Sequence, residues 1–192
     1  MTPVQIEAMF RVRIGQEIRT EGGYVNDSND SGGETCWGIT VGRARAAGYT
    51  GAMNALTQDR AIEIYRLYYW TQPMFDQLAG VSGEVASLAL DFGINMGPSW
   101  PGHFLQRALN VLNQGATSYP DITVDGVCGA ITRASLYSFL KQRGSDGEMV
   151  LCAAVRAQAG VRYIELAEDN VKDEAFEYGW LRNRAFSNLF SH

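Results

Sequence analysis

The stretch from Glu21 to Thr40, EGGYVNDSNDSGGETCWGIT, joins an acid at the end of a helical pattern to a polar, glycine-rich run that cannot pack a core. Ahead of it, Ile6, Phe10, Ile14 and Ile18 recur at every fourth position with Met9 beside them, which predicts a helix with one stripe facing a core. Thr2 as N-cap, Pro3 at the first helical position and Gln5 three residues after the cap mark its start. Gly22-Gly23 supply a left-handed stop. Glu21 follows Ile18 by three residues and Ile14 by seven, so a helix that reaches it puts its carboxyl on the apolar stripe. Desolvation there disfavours the charged form and raises the pKa, as a general acid working near neutrality requires. The plainer alternative is a Glu salt-bridged near a helix end, and structural ion pairs outnumber catalytic acids.

Beyond the glycines, Tyr24, Asn26, Asp27, Asn29, Asp30, Gly32, Gly33, Glu34 and Thr35 lead into an apolar-aromatic return, Trp37-Gly38-Ile39-Thr40. Gly and Asn tolerate positive φ, and Asn and Asp bond their own backbone, so the run predicts a tight loop or a short β-hairpin. An acid- and glycine-rich loop also suggests calcium, but Asp27, Asn29 and Gly32 meet only fragments of the EF-hand pattern. No metal is assigned.

The same residues resemble glycoside hydrolase family 108, the N-acetylmuramidases of phage endolysin type, whose members carry Glu-Gly-Gly-Tyr, then Asp-x-x-Asp, Gly-Gly-x-Thr and Gly-Ile-Thr or Gly-Ile-Ser. Further family landmarks follow in order: Tyr69-Trp70, Asp91-Phe92 with Asn95 and Gly97, Leu105 to Leu109, Asp125-Gly126 with Gly129 and Thr132, and Gly179-Trp180-Leu181 with Arg184. The resemblance implies that Glu21 is the catalytic acid and that the substrate is the β-1,4 bond between N-acetylmuramic acid and N-acetylglucosamine in peptidoglycan. It implies neither a metal nor an organic cofactor. The lysozymes of tailed phages space their acid, aspartate and threonine as Glu, eight residues, Asp, five residues, Thr. Glu21 and Asp30 match that spacing, while Cys36 stands at the threonine position, so the water-positioning role falls to Cys36 or to neighbouring Thr35. Glycoside hydrolysis with inversion needs an acid for the leaving oxygen and a carboxylate that activates water, which makes Asp30 the base with Asp27 in reserve. Tyr24, Trp37, Asp91 and Asn95 are expected along the saccharide cleft. A lytic transglycosylase using Glu21 alone and a non-catalytic wall-binding or secretion-accessory module are the rival assignments.

With 192 residues, 46% hydrophobic and 19% charged, the chain can bury a sizeable core. Its net charge of −5 argues against a nucleic-acid partner, which calls for a basic face, and makes attack on an anionic wall from within the cell the easier picture. Cys36, Cys128 and Cys152 are isolated, without zinc-ligand spacing or a disulfide framework. A cysteine nucleophile needs a nearby His, and His103 and His192 are the only ones. The first helix carries Glu7, Arg11, Arg13, Glu17 and Arg19 rather than an apolar signal segment, and no run is apolar enough to insert in a membrane. The protein is therefore expected in the host cytoplasm until a holin or a secretion route delivers it to peptidoglycan in the periplasm. It is expected to act as a monomer.

Later segments read as helices. A short helix is predicted at Arg43 to Gly48, and a helix buried over much of its circumference from Thr57 or Gln58 to Trp70, with Tyr65 and Tyr69 in the core and Trp70 undecided. Ser82 caps a helix bearing Val85, Leu88, Ala89, Phe92 and Met96, on which Asp91 and Asn95 share one side. Pro98 to Gly102 is expected to break the chain before a helix from about His103 to Asn113. Gly115 to Gly129 reads as a polar surface loop with a turn at Asp125-Gly126. Helices at Ala130 to Arg143, at Gly147 to Glu168 with Asp146 as cap, and around Asp173 to Leu189 with an interruption near Gly179 complete the chain. The segment from Leu105 to Thr132 looks like the helix-loop-helix landmark of peptidoglycan-binding modules. The fold class is mainly α: a lysozyme-like, two-lobed helical domain with a short β-hairpin or loop after the first helix. Its lobes are a catalytic one over 1–100 and a helical, peptidoglycan-binding-like one over 101–192, packed as one folding unit.

Overall fold

A computed structural model describes residues 1–26 and 33–190, with Thr20 and Glu21 described in backbone only. Helix α1 (Pro3–Glu21) opens on a capping box: the Gln5 amide donates to Thr2 Oγ1 at 3.3 Å and the Thr2 amide donates to Gln5 Oε1 at 2.8 Å. Phe10, Ile14 and Ile18 on its inner stripe are fully buried. The helix stops at Gly22, whose φ of 74° and ψ of −165° lie in a region essentially reserved for glycine.

The polar stretch is framed by a three-stranded antiparallel sheet in sequential order, β1 (Tyr24–Val25), β2 (Thr35–Cys36) and β3 (Ile39–Thr40). Tyr24 pairs with Cys36 and Val25 with Thr35, while Thr35 pairs with Thr40 and Cys36 with Ile39. The two-residue turn between β2 and β3 has positive φ at both Trp37 (55°) and Gly38 (74°), the requirement of a type I′ hairpin turn. Thr40 then caps α2 (Val41–Ala46), accepting from the Arg43 amide at 3.3 Å.

Helix α3 (Gln58–Arg66) starts after Thr57, whose side chain caps it, and runs into a π-helical turn, Leu67–Thr71, closed by the Gln72 amide donating to the Leu67 carbonyl. Trp70, undecided from sequence, is buried with its ring 5.6 Å from that of Phe10, and Tyr65 and Tyr69 are also buried. A short α4 (Phe75–Leu78) leads to α5 (Gly83–Met96), capped by Ser82. α5 buries Val85, Ala86, Leu88, Ala89, Leu90, Asp91, Phe92 and Gly93, covering most of its circumference, and packs against α1, α4, α6 and α7.

α6 spans Trp100–Leu112, so Pro101 lies in the first turn of the helix rather than in a break before His103. The missing N–H of Pro is harmless in a first turn, where those donors have no helical acceptor. The segment after α6 is pinned to it by three side chains. Gln106 donates to Asp125 Oδ1 at 2.7 Å and accepts from the Gly126 amide at 2.8 Å. Asn110 exchanges two hydrogen bonds with the backbone of Ile122, and Asn113 donates to Asp121. α7 (Ala130–Asp169) breaks its helical geometry at Gly144, near the predicted division, and packs along α6. The C-terminal interruption falls after Gly179: α8 (Glu174–Trp180) is followed by a π-helical turn, Leu181–Ala185, and then α9 (Ser187–Phe190). One buried apolar cluster draws on residues from α1 through α7 and reaches Ala185.

The packing of α6 against the Asp125 turn leaves no room at Gly102, where an added Cβ would run into the backbone of Gly126. Gly102→Ala is therefore expected to destabilise the protein by roughly 2 kcal/mol or more, as overpacking against backbone does. Urea denaturation with a shift below about 0.5 kcal/mol, the usual scale of a surface change, would show that this contact is not tight.

Candidate active site

Glu21 is the last residue of α1, so the helix does extend to the position that the apolar stripe predicts. Its side chain, and Asp27 and Asp30 entirely, lie outside the described residues. The described residues that follow and precede them in the chain include Tyr24, Thr35, Cys36 and Trp37. Tyr24 stands exposed at the start of β1, 42% accessible, where it meets solvent beside the end of α1. Thr35 on β2 is half-buried.

Cys36 is buried, with Sγ 3.9 Å from the Leu56 carbonyl, and burial pushes its thiol pKa up. That environment suits a small core residue rather than one that handles water. Trp37 is half-buried. Its indole Nε1 donates to the Leu56 carbonyl at 2.9 Å, and its own carbonyl accepts from the Tyr65 hydroxyl at 3.2 Å. The Arg43 guanidinium lies over the Tyr69 ring at 4.9 Å, fixing α2 to the same aromatic group.

Asp91 and Asn95 are not brought into contact with the sheet residues by any described interaction. Asn95 Nδ2 donates back to the Asp91 carbonyl at 2.8 Å, one turn earlier on α5. The Asp91 carboxylate, 5% accessible, is held by two arginines: Arg13 Nη2 at 3.0 Å from Oδ2 and Arg184 Nη1 at 2.9 Å from Oδ1. Arg184 also reaches Glu17 Oε2 at 3.3 Å. These groups, with Gln16 and Asn183, line a small polar cavity of about 160 Å³ between α1, α5 and the C-terminal π turn. Burial alone would lower the Arg184 pKa, but Asp91 and Glu17 together raise it, so the guanidinium stays charged.

Arg13, Glu17 and Arg184 are missing from the sequence-derived site. The signal for two of them was present, since Arg13 and Glu17 are four apart and Glu17 sits four residues before Glu21. That spacing puts the cavity about one helical turn, or ~6 Å of rise, from the backbone of Glu21. Arg184 could not be paired with them from sequence, because nothing local links the last helices to α1. Among the described residues, no group of His, Cys, Asp and Glu is arranged to hold a metal ion.

Arg184→Met leaves Glu17 without its guanidinium and Asp91 with Arg13 alone. Breaking a buried ion pair costs about 3 kcal/mol or more, so a comparable loss is expected by urea denaturation. A loss below about 1 kcal/mol would put the cluster on the scale of solvent-screened surface pairs.

Residues 15–97 match the family described as Glycosyl hydrolase 108, and residues 101–185 match the family described as Predicted Peptidoglycan domain. Among solved structures, SagA of Brucella abortus is similar over 94% of this chain and 95% of its own, with 26% identity and a TM-score of 0.60. No curated protein sequence matches. The fold is accordingly lysozyme-like, mainly helical with one small sheet, and the chain joins a region of the glycosyl hydrolase 108 type, residues 15–97, to a region of the peptidoglycan-domain type, residues 101–185, which together support a peptidoglycan-hydrolysing enzyme.

Proposed function

We propose that the chain is an N-acetylmuramidase of endolysin type that cleaves the β-1,4 bond between N-acetylmuramic acid and N-acetylglucosamine, with Glu21 as general acid and Asp30 as the base that activates water. The observation that carries this is the continuation of α1 to Glu21, immediately before the glycine stop and the small sheet, within the region that matches the hydrolase family. A carboxyl at the end of an apolar stripe is desolvated and holds its proton, while one in a polar loop stays ionised, which separates the acid and base roles. Asp27 is the alternative base. Thr35, half-buried on β2, is the better candidate for positioning water, since Cys36 is buried. Tyr24 offers an exposed ring to a sugar. Trp37, Asp91 and Asn95 are the further saccharide-contacting residues of this reading, although the hydrogen bonds and ion pairs of Asp91 and Asn95 go to α5, Arg13 and Arg184.

In this reading the enzyme serves host lysis for a bacteriophage, accumulates in the cytoplasm and reaches the periplasmic wall through a holin or a dedicated secretion route. Among the described residues, no helix is long and apolar enough to cross a membrane. Glu21→Gln keeps shape but cannot donate a proton, so lysis of purified peptidoglycan is expected to fall by roughly a hundredfold or more. Asp30→Asn should also impair lysis and Asp27→Asn less so. All three should stay folded by circular dichroism. Near-normal lysis by Glu21→Gln rejects the site, and loss in Asp27→Asn but not in Asp30→Asn moves the base. Mass spectrometry of the released sugars separates hydrolysis from transglycosylation, because an anhydro product is lighter by one water.

The two family regions are further proposed to fold as one unit, supported by the buried cluster that runs from α1 into α7 and by Arg184 pairing with Glu17 and Asp91. A fragment ending near Gly115 should then be unstable and inactive. Full stability and activity of that fragment would make the regions independent domains.

A further inference from the structure

Between α6 and α7 lies a cavity of about 370 Å³, lined among others by Trp100, Phe104 and Arg107 of α6 and by Gln158, Val161 and Arg162 of α7. It belongs to neither the small sheet nor the charged cluster around Asp91. Two polar atoms here are covered and have no partner, Gln158 Oε1 and Arg162 Nε. The rest of each group is engaged. Gln158 Nε2 donates to the Phe104 carbonyl at 2.9 Å and to the Ala154 carbonyl at 3.1 Å, which orients the amide across the helix interface. Arg162 lies over the Trp100 ring at 4.5 Å and donates from Nη1 to Glu165 at 3.1 Å. Residues 158 and 162 are one turn apart on α7, so the spare acceptor and the spare donor belong to neighbouring side chains on one face. Leaving each unmet costs about 1–3 kcal/mol, which a ligand supplying the complementary pair would recover.

We propose that this groove is a second binding site, which takes a secondary amide: the acetamido group of an amino sugar or a peptide bond of a wall stem peptide. A secondary amide offers one N–H to Gln158 Oε1 and one carbonyl to Arg162 Nε, and the carbons flanking it meet Phe104 and Val161. Entry requires the Arg162 side chain to rotate. That rotation gives up its ion pair with Glu165, whose side chain is 50% accessible against 21% for Arg162, and its stacking on Trp100. Val161, 56% accessible, stands at the mouth, and the exposed Arg107 is available to any carboxylate next to the amide. The choice of these two ligand sources rests on the peptidoglycan reading above, whereas the donor and acceptor pattern does not.

The test is a titration of the isotopically labelled full chain, followed by backbone amide chemical shifts. One probe is tri-N-acetylchitotriose, and the other is the stem tetrapeptide of Ala, D-Glu, diaminopimelate and D-Ala. At least one probe is expected to shift amides within 100–107 and 157–165, and which one does so identifies the source. Arg162→Ala should weaken that binding by about tenfold, the loss of one charge-assisted hydrogen bond. Val161→Glu, at an exposed position, should weaken it without disturbing the core. If neither probe shifts these amides, or if neither variant changes the binding, the proposal is overturned. Hydrolysis of purified peptidoglycan by the same samples keeps the two conclusions apart. Hydrolysis without groove shifts removes the groove alone, and groove shifts without hydrolysis support the groove while removing the hydrolase assignment.

Discussion

Burial of the Asp91 carboxylate constrains the chain more than any single apolar contact. An ion taken out of water loses several kcal/mol of solvation even after the surroundings relax, and it is tolerated only where partners meet it with good geometry. Asp91 sits on α5, the helix that is buried over most of its surface, and is itself only 5% accessible. Its partners arrive from α1, as Arg13, and from the turn near the C-terminus, as Arg184. Residues near both ends of the described chain are thereby committed to the same small polar cavity. Arg184 is the informative member, because it lies in the peptidoglycan-domain region while both of its carboxylates lie in the hydrolase region or on the helix that opens it. The charge cluster gives the arrangement its specificity, and the apolar cluster around α5 supplies most of the driving force.

A different strategy holds the long segment after α6. Polar side chains spaced along one face of that helix, Gln106, Asn110 and Asn113, take over backbone groups that a strand or helix would otherwise satisfy. Gln106 is 1% accessible and meets both the Asp125 and Gly126 amides, which makes it a bracket for the turn rather than a ligand group. The side-chain hydrogen bond from Gln106, first, and the Val127 amide hold the Asp125 carboxyl below its usual range. A carboxylate with a depressed folded-state pKa contributes stability that is present above its unfolded value and lost as pH falls through the folded one. The Leu105 to Thr132 landmark is thus accounted for by backbone hydrogen bonding, and two of the unmet groups of this half, Gln158 Oε1 and Arg162 Nε, lie elsewhere, on the face shared by α6 and α7.

Elements with local signals were legible in the sequence. The Thr2-Pro3-Gln5 start, the Phe10, Ile14, Ile18 stripe and the Ser82 cap are each written within a few residues, and each appears as read. The division of the long helix between Arg143 and Gly147 was also visible, but the break falls at Gly144 and Asp146, expected as a cap, lies within the helix. Elements that depend on distant chemistry were not. The π-helical turns at Leu67–Thr71 and Leu181–Ala185 have no local composition that separates them from an ordinary helix, and tertiary packing selects them. Pro101 was taken for punctuation because a proline before a helical pattern is ambiguous between a break and a first turn. Asp91 was legible as a polar group forced into an apolar helix, but its partners were more than seventy positions away in each direction. For the candidate site, sequence pointed to the loop acids, and the structure adds the scaffold on either side of them.

That scaffold is where the physical case for the site is strongest. The chain enters the acidic stretch from a helix whose last turns are locked by Ile14 and Ile18, through a glycine conformation that other residues cannot readily adopt. It leaves through β2, whose next residue, Trp37, is fastened twice, to the Leu56 carbonyl by its indole and to the Tyr65 hydroxyl by its backbone. The Val41 amide donates to the Glu34 carbonyl at 2.8 Å, which ties the start of β2 to the start of α2. Strands of two residues have little stability of their own, and a sheet this small persists only because its flanks are anchored to something larger. It follows that α1, α3 and the type I′ turn supply the rigid frame on either side of the acidic stretch.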